Sequence, residues 1–230
     1  MPEGFRCALV PWGEVESWVD SIIHTMDRTG FAPDVVIGMS RGGIVPSRLI
    51  CDHLVVKNLF TVKTEHWGLT ATPDGKARLA QALNTDIKGR SVLIVDDITD
   101  TGQSLILARE HVESLGPGEL RSATLLHITH SLITPDYYAK EVDKGQWTWF
   151  IFPWNVREDL RNIVPQALDE PADLEGLRKV LAERYQIRPE EHMVKETVDR
   201  LLGAGKVVRR GKRFQRARGP APPAAGAAGE

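Results

Sequence analysis

Between residues 12 and 128 this chain alternates strand-length apolar runs with helical patterns, and few folds accept that order. DVVIGM (34–39), LFTVKT (59–64), VLIV (92–95) and ATLLHI (123–128) are short runs of the kind that form strands buried on both faces. Between them, WGEVESWVDSIIHTM (12–26) places Trp12, Val15, Trp18, Val19, Ile22, Ile23 and Met26 three and four apart, on one helical face. IVPSRLICDHLV (44–55) reads as a second helix with Pro46 in its first turn, and SLILAREHVESL (104–115) as a third, ended by Gly116. EHWGLTATPDGKARL (65–79) is polar, contains Gly and Pro, and reads as a long loop. The alternation predicts an α/β protein with a parallel sheet covered on both faces. Ligands of such sheets bind beyond the carboxyl ends of the strands, where GMSRGG (38–43) and DDITDTGQS (96–104) fall.

With 230 residues, 42% of them hydrophobic and 26% charged, the chain can bury one substantial core and a small appended unit. A formal net charge of -2 makes no whole-protein case for a polyanion partner and leaves local clusters to be judged separately. Cys7 and Cys51 are the only cysteines, too few for a disulfide framework and in keeping with a reducing compartment. No segment approaches the ~20 apolar residues needed to span a bilayer, and MPEGFRCALVPWGEVE lacks the basic start and apolar run of a secretory leader. The expected location is the cytoplasm, with no membrane partner.

The stretch VLIVDDITDTGQSL (92–105) carries the chemistry. Three carboxylates beside a glycine-hydroxyl loop repel one another, and a fold tolerates them where a cationic or hydroxyl-rich ligand sits against them. A Walker-type ATPase needs G-x-x-x-x-G-K-[ST], which is absent, and GMSRGG has the wrong spacing for a dinucleotide fold. Thr101, Gly102, Gln103 and Ser104 offer hydroxyls and backbone N–H groups where a helix begins, a setting that favours an anion. Asp96 and Asp97 can accept hydrogen bonds from vicinal hydroxyls. A phosphate beside such hydroxyls describes a ribose 5-phosphate. The bland alternatives are an N-cap with a loop acid for the Asp pair, and a surface charge for Arg41.

VLIVDDITDTGQS resembles the phosphoribosyl pyrophosphate (PRPP) motif of the type I phosphoribosyltransferases, in the form with a third Asp before Thr-Gly that is typical of 6-oxopurine enzymes. IGMSRGGIVPSRLI (37–50) resembles the pyrophosphate loop of the bacterial xanthine-guanine enzymes and their archaeal relatives, and WFIFPWN (149–155) their hood segment. The resemblance covers roughly residues 8 to 165. It implies that Asp96 and Asp97 hold the ribose hydroxyls and that Asp100, Thr101, Gly102, Gln103 and Ser104 surround the 5-phosphate. Asp100 would also face purine N7 as the catalytic acid or base. Ser40, Arg41 and Gly42 would bind pyrophosphate, with a cis peptide between Ser40 and Arg41. Trp149 would stack on the base and Phe150 touch its edge, although WTWFIF also reads as an edge strand with aromatic core residues. Magnesium is implied, bound mainly through PRPP and pyrophosphate, and the 65–79 loop would close over the site. The implied reaction joins a purine base to PRPP, giving a nucleoside monophosphate and pyrophosphate, with guanine, hypoxanthine or xanthine favoured and a homodimer as the assembly. The family usually carries a base-reading Lys where this chain has Ile128, and an apolar side chain cannot donate to a 6-oxo group, which leaves His127, His130 or backbone amides. A lone histidine at a strand end is, however, more often structural.

Domain boundaries are expected at 1–165 for the phosphoribosyltransferase domain, 166–218 for a small helical unit and 219–230 for a low-complexity, disordered tail. DLEGLRKVLAERY (173–185) and EEHMVKETVDRLLGAG (190–205) read as helices, and KVVRRGKRFQRAR (206–218) as a hairpin around Gly211, together winged-helix-like. The hairpin carries Lys206, Arg209, Arg210, Lys212, Arg213, Arg216 and Arg218 and no acid, a cluster suited to nucleic-acid phosphates. Glu190, Glu191, Glu196 and Asp199 give the preceding helix an acidic face poorly suited to a DNA groove. A PRPP-sensing, nucleic-acid-binding regulator is therefore the alternative to the enzyme.

Overall fold

The computed structural model describes residues 5–66, 77–146 and 148–217. In chain order the elements are β1 (Cys7–Leu9), α1 (Trp12–Thr29), β2 (Val35–Ser40), α2 (Ile44–Leu54), β3 (Asn58–His66) and β4 (Ala77–Gln81). There follow β5 (Ser91–Thr99), α3 (Gln103–Ser114), β6 (Glu119–Ile128), β7 (Tyr137–Val142) and β8 (Trp149–Ile151). The last are α4 (Val156–Ala167), α5 (Leu174–Arg184), α6 (Glu191–Gly203), β9 (Val207–Arg210) and β10 (Arg213–Arg216). The chain forms two compact units, residues 11–147 and residues 1–10 with 148–230.

The larger unit is built on a six-stranded sheet of order β4-β3-β2-β5-β6-β7, parallel throughout except for the antiparallel β3–β4 pair. Its central strands β2 and β5 are apolar on both sides over most of their length because both faces are covered. Val35, Ile37 and Met39 of β2 and Val92 and Ile94 of β5 join Leu105, Ala108 and Val112 of α3 in one buried cluster. On the alternate side of β2 a side chain at Gly38 would strike Ser47, so α2 lies on that face and glycine lets it approach. The apolar periodicity of α1 is realised as buried Val15, Trp18, Val19, Ile22 and Met26, while Trp12 at the first position is 51% exposed. Gly30 ends the helix in the left-handed region at φ 70°, and N–H groups of Gly30 and Phe31 close the last turn on Asp27 and Met26.

Several elements differ from the sequence reading, which proposed neither β1 nor α4 and began the fourth strand at 123 where β6 begins at Glu119. The third predicted strand runs past VLIV to Thr99, because Asp96, Ile98 and Thr99 continue the parallel ladder opposite Thr124, Leu126 and His127 of β6. The ends of the predicted loop at 65–79 belong to β3 and β4, while its centre, 67–76, lies outside the described residues. Tyr137–Val142, buried at its two ends, adds an edge strand that the sequence reading did not propose.

The smaller unit gathers β1, β8, α4, α5, α6 and the β9–β10 hairpin around one apolar cluster running from Phe5 and Cys7 through Ile163, Leu181 and Val198 to Val207. β1 and β8 pair in parallel, with Cys7 opposite Trp149. The division expected at residue 165 passes through this cluster, since Leu160, Ile163 and Val164 pack with Leu177, Leu181 and Leu201. The α5–α6 pair and the hairpin turning at Gly211 have the order read from the sequence, and the tail after 217 lies outside the described residues. Among the described residues no helix is long and apolar enough to cross a membrane.

Candidate functional site

The strand order places a topological switch point in the larger unit. From β2 the chain steps outward to β3 on one side, and from β5 to β6 on the other, so β2 and β5 are neighbours whose connections diverge. Divergence leaves a crevice beyond their carboxyl ends. β2 ends at Ser40 and β5 at Thr99, so SRGG and DDITDTGQS meet there.

Their contact is close and depends on two glycines. A methyl group on Gly42 would land on the Asp97 carboxylate, and one on Gly43 would strike the backbone of Val95 and Asp96. The loop therefore lies directly on the Asp pair. The Ser40–Arg41 peptide within it is cis, as the resemblance implies, and Arg41 is exposed. Gly43 N–H donates to Met39 O at 2.8 Å, folding the loop back on its own strand before α2 begins.

Asp97 is 8% exposed and Asp96 half-buried. Burial, then the neighbouring Asp97 charge, push the Asp96 carboxyl well above the usual carboxylate range, while hydrogen bonds from the Asp97 and Gly43 backbone N–H groups act the other way. Carboxylates held this close are relieved by donors or cations on their open side. Hydroxyls can supply the first and a divalent cation carried on a phosphorylated ligand the second. Magnesium fits such a pair, because it takes one or two carboxylates and completes its shell with phosphate oxygens and water. No group of three His, Cys, Asp or Glu side chains that could hold a metal unaided occurs among the described residues.

Beyond β5 the chain turns through Asp100, Thr101 and Gly102 into α3. Gly102 sits at φ 82°, in the left-handed region, and a side chain there would strike Ser131 and Ile133. The N-cap residue Gly102 has no side chain to cap α3, and Gln103 N–H makes a long 3.5 Å contact to Thr101 Oγ1; the start of a helix is a setting that favours an anion. Asp100 is exposed, and its Oδ1 lies 3.0 Å from Nε2 of His130 in the β6–β7 loop.

Ile128 ends β6 with its side chain 1% exposed, so the position expected to read a 6-oxo group is in the core. His127, 5% exposed, packs its ring 5.1 Å from that of Tyr138; burial lowers its basicity, the charge of Glu141 opposing. Nδ1 of both His127 and His130 is buried without a hydrogen-bond partner among the described residues.

In the smaller unit, the Trp149 ring packs edge-on to Phe5, centroids 6.4 Å apart, and its indole N–H donates to Asp159 Oδ1 at 3.1 Å. Trp149 is half-buried against the unit's apolar cluster, Phe150 occupies the next position of β8, and Phe152 stacks on Trp154. Asp159, 6% exposed, was not singled out from the sequence; it lies within a helix whose pattern reads as ordinary amphipathic surface. Burial pushes its carboxyl up to about 6, the indole hydrogen bond opposing and the charge of Glu158 reinforcing.

A family model for the phosphoribosyl transferase domain matches residues 8–161. The chain belongs to that family, and within it is a type I phosphoribosyltransferase resembling the xanthine-guanine enzymes. It is 30% identical over 155 residues to the xanthine-guanine phosphoribosyltransferase of Cereibacter sphaeroides, covering 64% of this chain and 86% of that one. Hypoxanthine-guanine phosphoribosyltransferase of Lactococcus lactis is 31% identical over 121 residues, 50% of this chain and 64% of the relative. Among solved structures, the purine phosphoribosyltransferase of Pyrococcus horikoshii superposes with a TM-score of 0.56 at 27% identity, covering 64% of this chain and 93% of that one.

Two outcomes are expected from these contacts. Gly42→Ala should weaken binding of magnesium-PRPP, measured by calorimetry, because the new methyl must displace the loop or the Asp97 carboxylate; unchanged affinity would separate the loop from the site. Asp159→Asn should stabilise the protein in a pH-dependent way. An unfolded aspartate titrates near ~3.9, so as pH rises from there to about 6 the unfolded chain ionises first and stability falls, remaining lower above that range. A shift of that size corresponds to ~3 kcal/mol. Asn keeps the acceptor for the indole and removes the charge. The melting-temperature difference between variant and parent should therefore be near zero at pH 4 and several degrees in the variant's favour at pH 7, whereas a pH-independent offset would refute it.

Proposed function

We propose that this chain transfers the phosphoribosyl group of PRPP to N9 of a purine base, releasing pyrophosphate, as a salvage reaction. The observation that carries this reading is the glycine loop after β2 lying on the Asp96–Asp97 pair at the switch point, beside the start of a helix entered through DTGQS. Asp96 and Asp97 would accept from the two ribose hydroxyls, and Asp100, Thr101, Gly102, Gln103 and Ser104 would surround the 5-phosphate. Ser40, Arg41 and Gly42 would hold the pyrophosphate. The C1–O bond to pyrophosphate breaks as N9 bonds to C1, so positive charge develops on the sugar and negative charge on the leaving group. The guanidinium of Arg41 stabilises the latter, and magnesium, when bound with PRPP, neutralises it further. The proton shed by the purine goes to Asp100. To Trp149 and Phe150 we assign the base, with the Asp159 hydrogen bond fixing the plane of the indole.

The names of the relatives support a 6-oxopurine, guanine, hypoxanthine or xanthine. The buried Ile128 means that such a base is not read by a lysine at that place. Incubation with magnesium-PRPP and each of these bases, with adenine for comparison, should yield pyrophosphate with at least one; none with any purine would end the proposal. Asp100→Ala should lower kcat by roughly 10² to 10⁴, the usual weight of positioned proton transfer, and leave PRPP affinity within a few-fold. Full activity in that variant would remove Asp100 from the chemistry.

A second reading is favoured by the hairpin. Arg210 and Arg213 stand directly opposite on its outward face, and neither they nor Lys212 at the turn have an acidic partner among the described residues. Like charges so placed destabilise a strand pair. Nearby acids pair with other basic residues, Glu196 with Arg157 and Arg200, Glu191 with Arg178, and Asp169 with Arg184 and with Arg216 at the far end of the hairpin. An anionic chain, here a nucleic acid held through its phosphates, would relieve the repulsion. Binding of a mixed-sequence duplex should fall steeply with salt, and replacing Arg210, Lys212 and Arg213 together by Ser should flatten the log–log slope by roughly three while sparing turnover. Salt-independent binding, or none, would return the hairpin to a solvated surface.

A further inference from the structure

We infer that His130 is the positioning residue for Asp100, an inference that rests on the phosphoribosyl-transfer reading. Asp100 stands on the β5–α3 turn with no other partner among the described residues, and an exposed carboxylate on a turn samples several rotamers unless something holds it. His130 is the group beside it, Nε2 lying 3.0 Å from Oδ1.

The placement is built by the backbone. Leu132 N–H donates to Thr101 O at 3.0 Å, joining the β6–β7 loop to the phosphate turn one residue past Asp100. Ser131 N–H donates to Ile128 O at 3.0 Å, and Ser131 Oγ to Ile133 O at 2.8 Å, which closes the loop on itself directly after His130. Gly102 lacks the side chain that would push Ser131 away. The two turns are tied to each other, and the imidazole stands on one of them.

The ring's own surroundings settle its role. Nδ1 is buried with no partner among the described residues, so the proton of the neutral ring belongs on Nε2, the nitrogen that faces a carboxylate. A ring with one nitrogen sealed off cannot pass a proton through itself. His130 therefore acts as a donor to Asp100, not as a relay to solvent. It occupies Oδ1 and leaves Oδ2 to take the proton of the purine, so that the carboxylate is aimed before the base arrives.

Loss of a hydrogen bond to a charged group is worth roughly ten- to a hundredfold, and His130→Leu is expected to lower kcat by that factor with KM for PRPP within a few-fold. His130→Gln, whose side-chain amide nitrogen can stand where Nε2 does, should restore most of kcat. On an Asp100→Ala background His130→Leu should add nothing, because there is no carboxylate left to aim. Undiminished kcat in His130→Leu, no recovery in His130→Gln, or the same proportional loss with and without Asp100 would each overturn the inference. A parent chain without turnover on any purine would instead overturn the transfer reading and this inference with it.

Discussion

The close approach of the 40–43 loop to the Asp96–Asp97 pair is the contact on which the rest of the site depends. It requires a backbone with no side chain at two successive positions, since Gly42 lies on the Asp97 carboxylate and Gly43 on the β5 backbone. It also requires β2 and β5 to be neighbours, a pairing set by the register Val35 to Gly38 against Val92 to Val95. Given both, a loop suited to pyrophosphate and two acceptors suited to sugar hydroxyls face one small volume. Carboxylates side by side repel one another, and the same repulsion favours a hydroxyl-rich ligand that brings its own cation.

The larger unit supports this crevice with parts whose sequences are otherwise ordinary. α2 and α3 cover opposite faces of the sheet, α2 reaching the strands through Gly38 and α3 packing Leu105, Ala108 and Val112 into a dry cluster. The β6–β7 loop leans on the β5–α3 turn through Leu132 and Thr101. A second layer of residues thereby touches the site without contributing a motif, and His130 belongs to it.

The smaller unit solves a different problem, that of giving a two-stranded parallel pair enough apolar cover to persist. β1 and β8 bury little between themselves, and three helices with the hairpin complete their core. Extra length beyond residue 165 is in this respect structural, whatever else its basic hairpin does. Asp159 is the exception inside that unit, a buried acid retained where an apolar residue would stabilise more, and its partner is the aromatic ring expected at the base.

Much of this was legible in the sequence. The 3.6-residue period of α1, the apolar runs of β2 and β5, and DDITDTGQS at the end of a strand follow from rules that act over a few residues, so the α/β class and the family could be read directly. Even the β9–β10 turn was marked by Gly211, which adopts φ 63°. What the chain could not announce is anything that depends on residues distant in sequence. The extension of β5 through its acids is imposed by pairing with β6, and the placing of 148–165 in the same core as 166–217 by packing. The contacts of His130 with Asp100 and of Trp149 with Asp159 join turns and elements that local patterns treat as unrelated. Local periodicity and turn chemistry were set by the sequence itself. Which side chains face one another across the switch point was decided only when the strands took their order.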